Sequence, residues 1–167
     1  FEHTFPLEKR LTDPAFAGVV WPQMVSTLLA HGTTTAVYYA TIDVETTTML
    51  AATCASLGQR AFVGRVAMDH ATGTPEWYRD VDAAASITAS HTSIEEIIGL
   101  GTPLVQPIIT PRFGPACSDE VLTGLGRLSI ETGVRVQTHC SESDWEHQYA
   151  FVRFGSSDTN ALTGFGL

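Results

Sequence analysis

Thr35-Ala36-Val37-Tyr38-Tyr39-Ala40 and Ala61-Phe62-Val63-Gly64-Arg65-Val66-Ala67-Met68 are short β-branched and aromatic runs, and the stretch between them carries both ends of a helix. Asp43 stands where a side-chain acceptor caps a first turn, and Gly58 follows Leu57 where the chain must leave the helix left-handed. A strand, a capped helix and a second strand at roughly 30 to 40 residues per repeat are the pattern of a parallel βα unit.

The same alternation continues outward. Leu104-Val105-Gln106-Pro107-Ile108-Ile109-Thr110 and Gly133-Val134-Arg135-Val136-Gln137-Thr138 are two further runs of strand length. Ser118 marks the start of a helix through Leu122, Leu125, Leu128 and Ile130 that halts near Gly133. From about Asp82 to Ile98, the residues Ile87, Ile94, Ile97 and Ile98 are spaced for one helical face. Pro14 to Ala30, with Val19, Val20, Met24, Leu28 and Leu29, is another expected helix, ended by His31-Gly32. Four buried parallel strands are therefore expected, and the class is α/β. A complete (β/α)₈ barrel needs eight strands and about 250 residues, so a barrel would need sequence beyond both ends. A doubly wound open sheet would not, yet no strand-to-helix turn carries a Gly-x-Gly-x-x-Gly or a phosphate-loop pattern.

Composition narrows the function classes. Apolar residues make up 44% of the 167 and charged residues 16%, a balance that favours a packed core over disorder. Nine basic against 18 acidic residues give a net charge of −9, which repels nucleic acid and anionic lipid at long range. No apolar run approaches the roughly 20 residues of a membrane helix, and the first residues lack a signal-peptide pattern. Three cysteines without a Cys-x-x-Cys indicate neither a disulfide framework nor a zinc knuckle and fit a reducing, cytoplasmic setting. Because the chain opens on Phe1 and closes on Gly164-Phe165-Gly166-Leu167, residues 1–167 are expected to be an internal fragment.

In a parallel barrel the chemistry gathers where strands end. The third run leads into Thr110-Pro111-Arg112-Phe113 and the fourth into Thr138-His139-Cys140-Ser141-Glu142. An imidazole at a strand end can offer a neutral ring nitrogen to a metal, and a carboxylate three residues on, at the start of the next helix, can move a proton. The same pair also suits a capping histidine with a solvated glutamate. Arg112 offers a two-pronged donor and Phe113 a flat face, which together match a planar polar heterocycle but equally an ion pair and a core aromatic. The other histidines, His147 among them on the helix after Glu142, have no ligand-like spacing, and no base is evident beside Cys117 or Cys140.

Several ordered motifs carry a resemblance. They are Thr4-Phe5-Pro6 followed by Glu8; His31-Gly32-Thr33-Thr34-Thr35-Ala36 with Tyr38 and Ala40-Thr41-Ile42; Gly58-Gln59-Arg60-Ala61-Phe62-Val63-Gly64 running to Met68-Asp69; Thr110-Pro111-Arg112-Phe113 with Cys117-Ser118; and Gln137-Thr138-His139 with Ser141-Glu142. Across nearly its whole length the chain resembles guanine deaminases of the amidohydrolase superfamily. The resemblance implies a partial TIM-like (β/α)₈ barrel, with the four strands as the second to fifth, and one catalytic Zn2+. It implies that His139 is a metal ligand, that Glu142 is the catalytic proton shuttle, and that Arg112 and Phe113 bind a small-molecule purine substrate. The implied reaction is guanine plus water to xanthine plus ammonia by metal-activated water, in a homodimeric parent enzyme.

Departures from the family pattern set limits. The His-x-His pair of the first strand, the His after the sixth and the Asp after the eighth have no counterpart here, so one expected ligand is present and the chain alone is expected to be inactive. Within the superfamily, a deaminase of another aminated ring would keep the metal chemistry and change the pocket. From a different class, a noncatalytic half-barrel interaction module would keep the fold alone. The cytidine-deaminase signature of His-x-Glu with Pro-Cys-x-x-Cys is absent.

Overall fold

Asp43 Oδ1 accepts the Thr46 amide at 2.8 Å, and Gly58 leaves the same helix at φ +81°, so the βα unit forms with the caps its sequence encodes. The computed structural model describes residues 2–167, which divide into two units. The first comprises residues up to Val66 together with Ala89–Ile108, and the second comprises Ala67–Thr88 and Ile109–Leu167.

The first unit opens with α1 (Thr4–Arg10) and α2 (Pro14–Ala30), capped by Asp13. There follow β1 (Thr35–Tyr39), α3 (Val44–Leu57) and β2 (Arg60–Gly64), with the short β3 (Val66–Ala67) at the chain boundary between units. α4 (Ala83–Gly99), which lies in this unit from Ala89 onward, and β4 (Val105–Pro107) come next. The sheet order is β1-β2-β4, all parallel, with Ala36 opposite Ala61 and Ala61 opposite Val105. Its core joins Trp21 and Val25 of α2, Leu50, Ala51 and Cys54 of α3, and Val63 of β2. The Trp21 indole donates to the Thr46 carbonyl at 2.9 Å, so the largest core side chain of α2 is also polar-satisfied.

Some expected faces differ. On α2 the buried stripe is Ala17, Trp21 and Val25, spaced by four, whereas Val19 is exposed. On α4, Ile94 and Ile97 are buried and Ile98 is exposed; the buried face runs Ser86, Ser90, Ser93, Ile97. Small serines at this helical spacing allow close packing that an apolar-residue count does not register. β1 pairs on one side within its sheet and leaves Val37 half exposed, so it is not the fully buried strand expected.

The second and third strands are each broken. The expected 61–68 run stops its ladder at Gly64: the buried Arg65 turns its Nε to the Ile42 carbonyl at 2.8 Å, and the Val66 amide donates to Thr41. The expected 104–110 run holds β4 and then β5 (Thr110–Pro111), because its partner changes: the Ile108 amide donates to Val63, whereas the Ile109 amide donates to Arg135.

The second unit contains β5, a 3₁₀ turn at Gly114–Ala116, α5 (Asp119–Thr132), α6 (Asp144–Phe154) and α7 (Asp158–Gly164). Ser118 caps α5 through the Val121 amide, and Asp69 in turn accepts both the amide and the hydroxyl of Ser118 at 2.7 Å. A Cβ on Gly73 would lie 2.7 Å from the Ala116 nitrogen, so only glycine fits there. Arg153 of α6 donates to the carbonyls of Gly114 and Cys117 and pairs with Asp119 at 2.6 Å, which ties α6 to the turn before α5. The expected fourth strand, 133–138, is reduced to two isolated parallel bridges, Ile109 with Val136 and Phe113 with His139, because the segment it pairs with is itself interrupted by Pro111 and the 3₁₀ turn.

In the Gly-Gln-Arg-Ala-Phe run, Gln59 is the buried member. Its amide donates to the Thr33 carbonyl at 2.9 Å and its oxygen accepts the Tyr38 hydroxyl at 2.6 Å. Gln59→Leu removes both partners inside the unit and should cost roughly 1–3 kcal/mol. A urea-denaturation midpoint that does not move would contradict that role.

Candidate active site

Parallel pairing brings three of the four expected site residues together. Ile109 uses both backbone groups on the fourth segment, taking the Gln137 amide and donating to the Arg135 carbonyl, each at 2.9 Å. Four residues further along the third segment and three along the fourth, a one-residue change of register, Phe113 lies opposite His139. The Gln137 side chain adds a bond to the Thr110 hydroxyl at 2.9 Å, so the two strand ends are locked by side chains as well as backbone.

One carbonyl dominates the geometry. The Arg112 oxygen accepts the His139 backbone amide at 3.2 Å and lies 2.9 Å from His139 Nδ1. A carbonyl can only accept, so Nδ1 carries a proton, and in the neutral ring Nε2 then carries the lone pair. Histidines that ligate metals through Nε2 are held in this way, by a fixed acceptor on the other ring nitrogen. Phe113 is 8% exposed, and the Arg112 side chain is partly exposed beside it.

Glu142 differs from expectation in its local setting. It lies outside the helix, one residue before Ser143, whose hydroxyl caps α6 by accepting the Glu146 amide at 3.2 Å. Its side chain is exposed. Its backbone amide is held, donating to Glu146 Oε2 at 2.8 Å.

Two buried carboxylates beneath this loop were not anticipated as site residues. Glu146 is 2% exposed and Asp158 3%. Asp158 accepts the Ser141 hydroxyl at 2.8 Å, the Thr159 amide at 2.9 Å and the Ser141 amide. Ser141 has φ +54°, the one left-handed non-glycine among the described residues. Burial would raise the Asp158 pKa, but the bonds from Ser141 and Thr159 outweigh it and hold the carboxyl below its ordinary value. Glu146 goes the other way: burial pushes it up, and its Oε1 has no hydrogen-bond partner. Ser143-x-x-Glu146 is a capping-box pattern and was readable in the sequence. Asp158 had no local signal, because it acts 17 residues away.

The remaining candidates stay peripheral. Cys117 is fully buried, donates to the Ala67 carbonyl and is pushed up to about 12 by burial, with Asp69 adding to the effect, so it is no nucleophile. His147 is exposed and packs edge-on against Phe151 at 5.0 Å. Among the described residues no three His, Cys, Asp or Glu side chains converge on a metal site. The donor set here amounts to one imidazole with the right tautomer, which fits a contribution to a metal shell and not a whole one.

Asp158 gives a signed pH dependence. Its folded pKa is depressed, so its stabilisation is full above the ordinary aspartate value of about 3.9 and is lost as pH falls through the lower folded value. The acid limb of a urea-midpoint titration should therefore be steeper in the wild type than in Asp158→Asn. Equal slopes would contradict the assignment.

The amidohydrolase family model matches residues 1–163. Guanine deaminase from Dictyostelium discoideum is 42% identical over 148 residues, 89% of this chain and 32% of that protein. The human guanine deaminase is 36% identical over 142 residues, covering 85% of the chain and 31% of the relative. A crystal structure of guanine deaminase from C. acetobutylicum, with guanine bound in its active site, superposes with a TM-score of 0.89 at 31% identity, over 99% of this chain and 39% of that one. This chain thus spans about a third of the length of these relatives, within a superfamily whose fold is of the TIM-barrel type. The chain belongs to the amidohydrolase family, and within it resembles the guanine deaminases.

Proposed function

We propose that residues 1–167 supply the second to fifth strands of a guanine-deaminating barrel and carry the substrate-gripping and proton-moving part of its active site. The observation that carries the reading is the double use of the Arg112 carbonyl, which fixes the His139 ring with Nε2 as its lone-pair nitrogen. The likeness to guanine deaminases supplies the substrate class.

In this reading His139 is one ligand of a zinc ion whose other ligands lie outside the chain. When bound, zinc supplies the activation of the attacking water. Arg112 presents two parallel N–H donors to the carbonyl side of the purine, and the buried Phe113, next in the chain, gives the ring an apolar wall. Glu142 takes the proton from the attacking water and delivers it toward the ring nitrogen and the leaving amine, so one carboxylate serves as base and then acid. Its exposed position before α6 leaves the carboxylate reach for both transfers.

Ammonia release from guanine, adenine, cytosine and a triazine amine tests the proposal, using a complete polypeptide that carries these residues. Guanine should be the preferred ring, Glu142→Gln should lower kcat by about 100-fold or more, and the 167-residue chain alone should release no ammonia even with added zinc. Preference for another ring would overturn the substrate, and full activity in Glu142→Gln would overturn the shuttle.

A further inference from the structure

We propose that Glu146 is a positioning residue for the deamination, holding the backbone of Glu142 through a buried carboxylate so that the proton-shuttling side chain pivots from one fixed backbone position. The inference rests on the guanine deaminase reading given above.

Three observations carry it. First, the bond is displaced from ordinary helix capping. In a capping box the third helical residue's carboxylate returns to the amide of the cap residue itself, which is Ser143 here. Glu146 instead reaches one residue further, to the Glu142 amide at 2.8 Å, while Ser143 does the capping by accepting the Glu146 amide. Its acceptor therefore serves the loop rather than the helix. Second, the cost is unusual: a carboxylate 2% exposed, with Oε1 unpartnered, is disfavoured by burial, and a cap alone needs no such burial. Third, the neighbouring residue is clamped independently. Asp158 takes both the amide and the hydroxyl of Ser141, which sits at φ +54°. Two consecutive backbone amides, Ser141 and Glu142, thus end on two separate buried carboxylates contributed by α6 and α7.

The geometry follows from these holds. His139 is fixed to Arg112, Ser141 to Asp158 and Glu142 to Glu146, and the Cys140 thiol lies 3.2 Å from the Thr159 hydroxyl, so each of the four residues from the imidazole to the shuttle carboxylate has a hold. What remains free to rotate at Glu142 is the side chain alone. Proton transfer needs a heavy-atom approach near hydrogen-bond length, so a loosened backbone should lower turnover more than it weakens binding of the ring.

Amide hydrogen exchange and steady-state kinetics test this together. In the wild-type 167-residue chain, the Glu142 amide should be protected at least tenfold over the exposed Asp144 amide at the helix start. Exchange of Glu142 at its unprotected rate would overturn the proposal without any variant being made. In the complete polypeptide, Glu146→Ala should lower kcat for guanine at least tenfold with KM within about twofold, whereas Glu146→Gln, which keeps an acceptor oxygen, should stay within about threefold of wild type. A Glu146→Ala protein with a lower melting temperature but unchanged kcat below it would reduce Glu146 to a helix cap and overturn the inference. If the wild type releases no ammonia from guanine, the deaminase reading fails, and the exchange result still decides whether the clamp exists.

Discussion

A single peptide oxygen, that of Arg112, is the constraint on which the candidate site depends. It receives two donors from His139, one from backbone and one from the ring, and this double acceptance sets both the strand register and the imidazole tautomer. Were the register to slip by one residue, the side chains of the 133–139 segment would exchange faces, and Nδ1 would lose its acceptor. The change of partner between Ile108 and Ile109 ends the first ladder, and the pairing with the fourth segment concentrates at Ile109 and Phe113.

Below the strand ends, the loop to α6 is built of polar bonds rather than apolar packing. Cys140, Ser141, Glu142 and Ser143 are all exposed, and the loop's order comes from carboxylates 146 and 158. Those two groups shift in opposite directions because their bonds differ. Asp158 gathers donors that favour its ionised form, while Glu146 is buried with one oxygen unmatched. The backbone at Ser141 and Glu142 is thereby held from below, while the Glu142 side chain stays exposed.

The sequence was most informative where the physics is local. Asp43 with Gly58 and Ser118 with Gly133 mark helices whose ends are set by bonds within a few residues, and each end formed as read. The alternation of strands and helices was legible for the same reason. Strand continuity was not, because the breaks at Arg65 and between Pro107 and Thr110 arise from a buried guanidinium and from a change of partner strand. Serines 86, 90 and 93 concealed the buried face of α4 by being small and polar. At the candidate site, position and resemblance point to His139, Arg112 and Phe113, and the pairing brings the three together. Glu146 had a visible capping signature whose target differs by one residue, and Asp158 reaches Ser141 only through tertiary structure.

The tautomer of His139 decides whether the Arg112 carbonyl holds the ring. A long-range proton–nitrogen correlation spectrum of the histidine-labelled chain, recorded well above pH 6.5 so that imidazoles are neutral, distinguishes the two ring nitrogens. With the Arg112 carbonyl as acceptor, His139 carries its proton on Nδ1, and Nε2 gives the unprotonated signal. A proton on Nε2 would mean that the Arg112 carbonyl does not hold the ring, and the imidazole would not be set to ligate a metal as described.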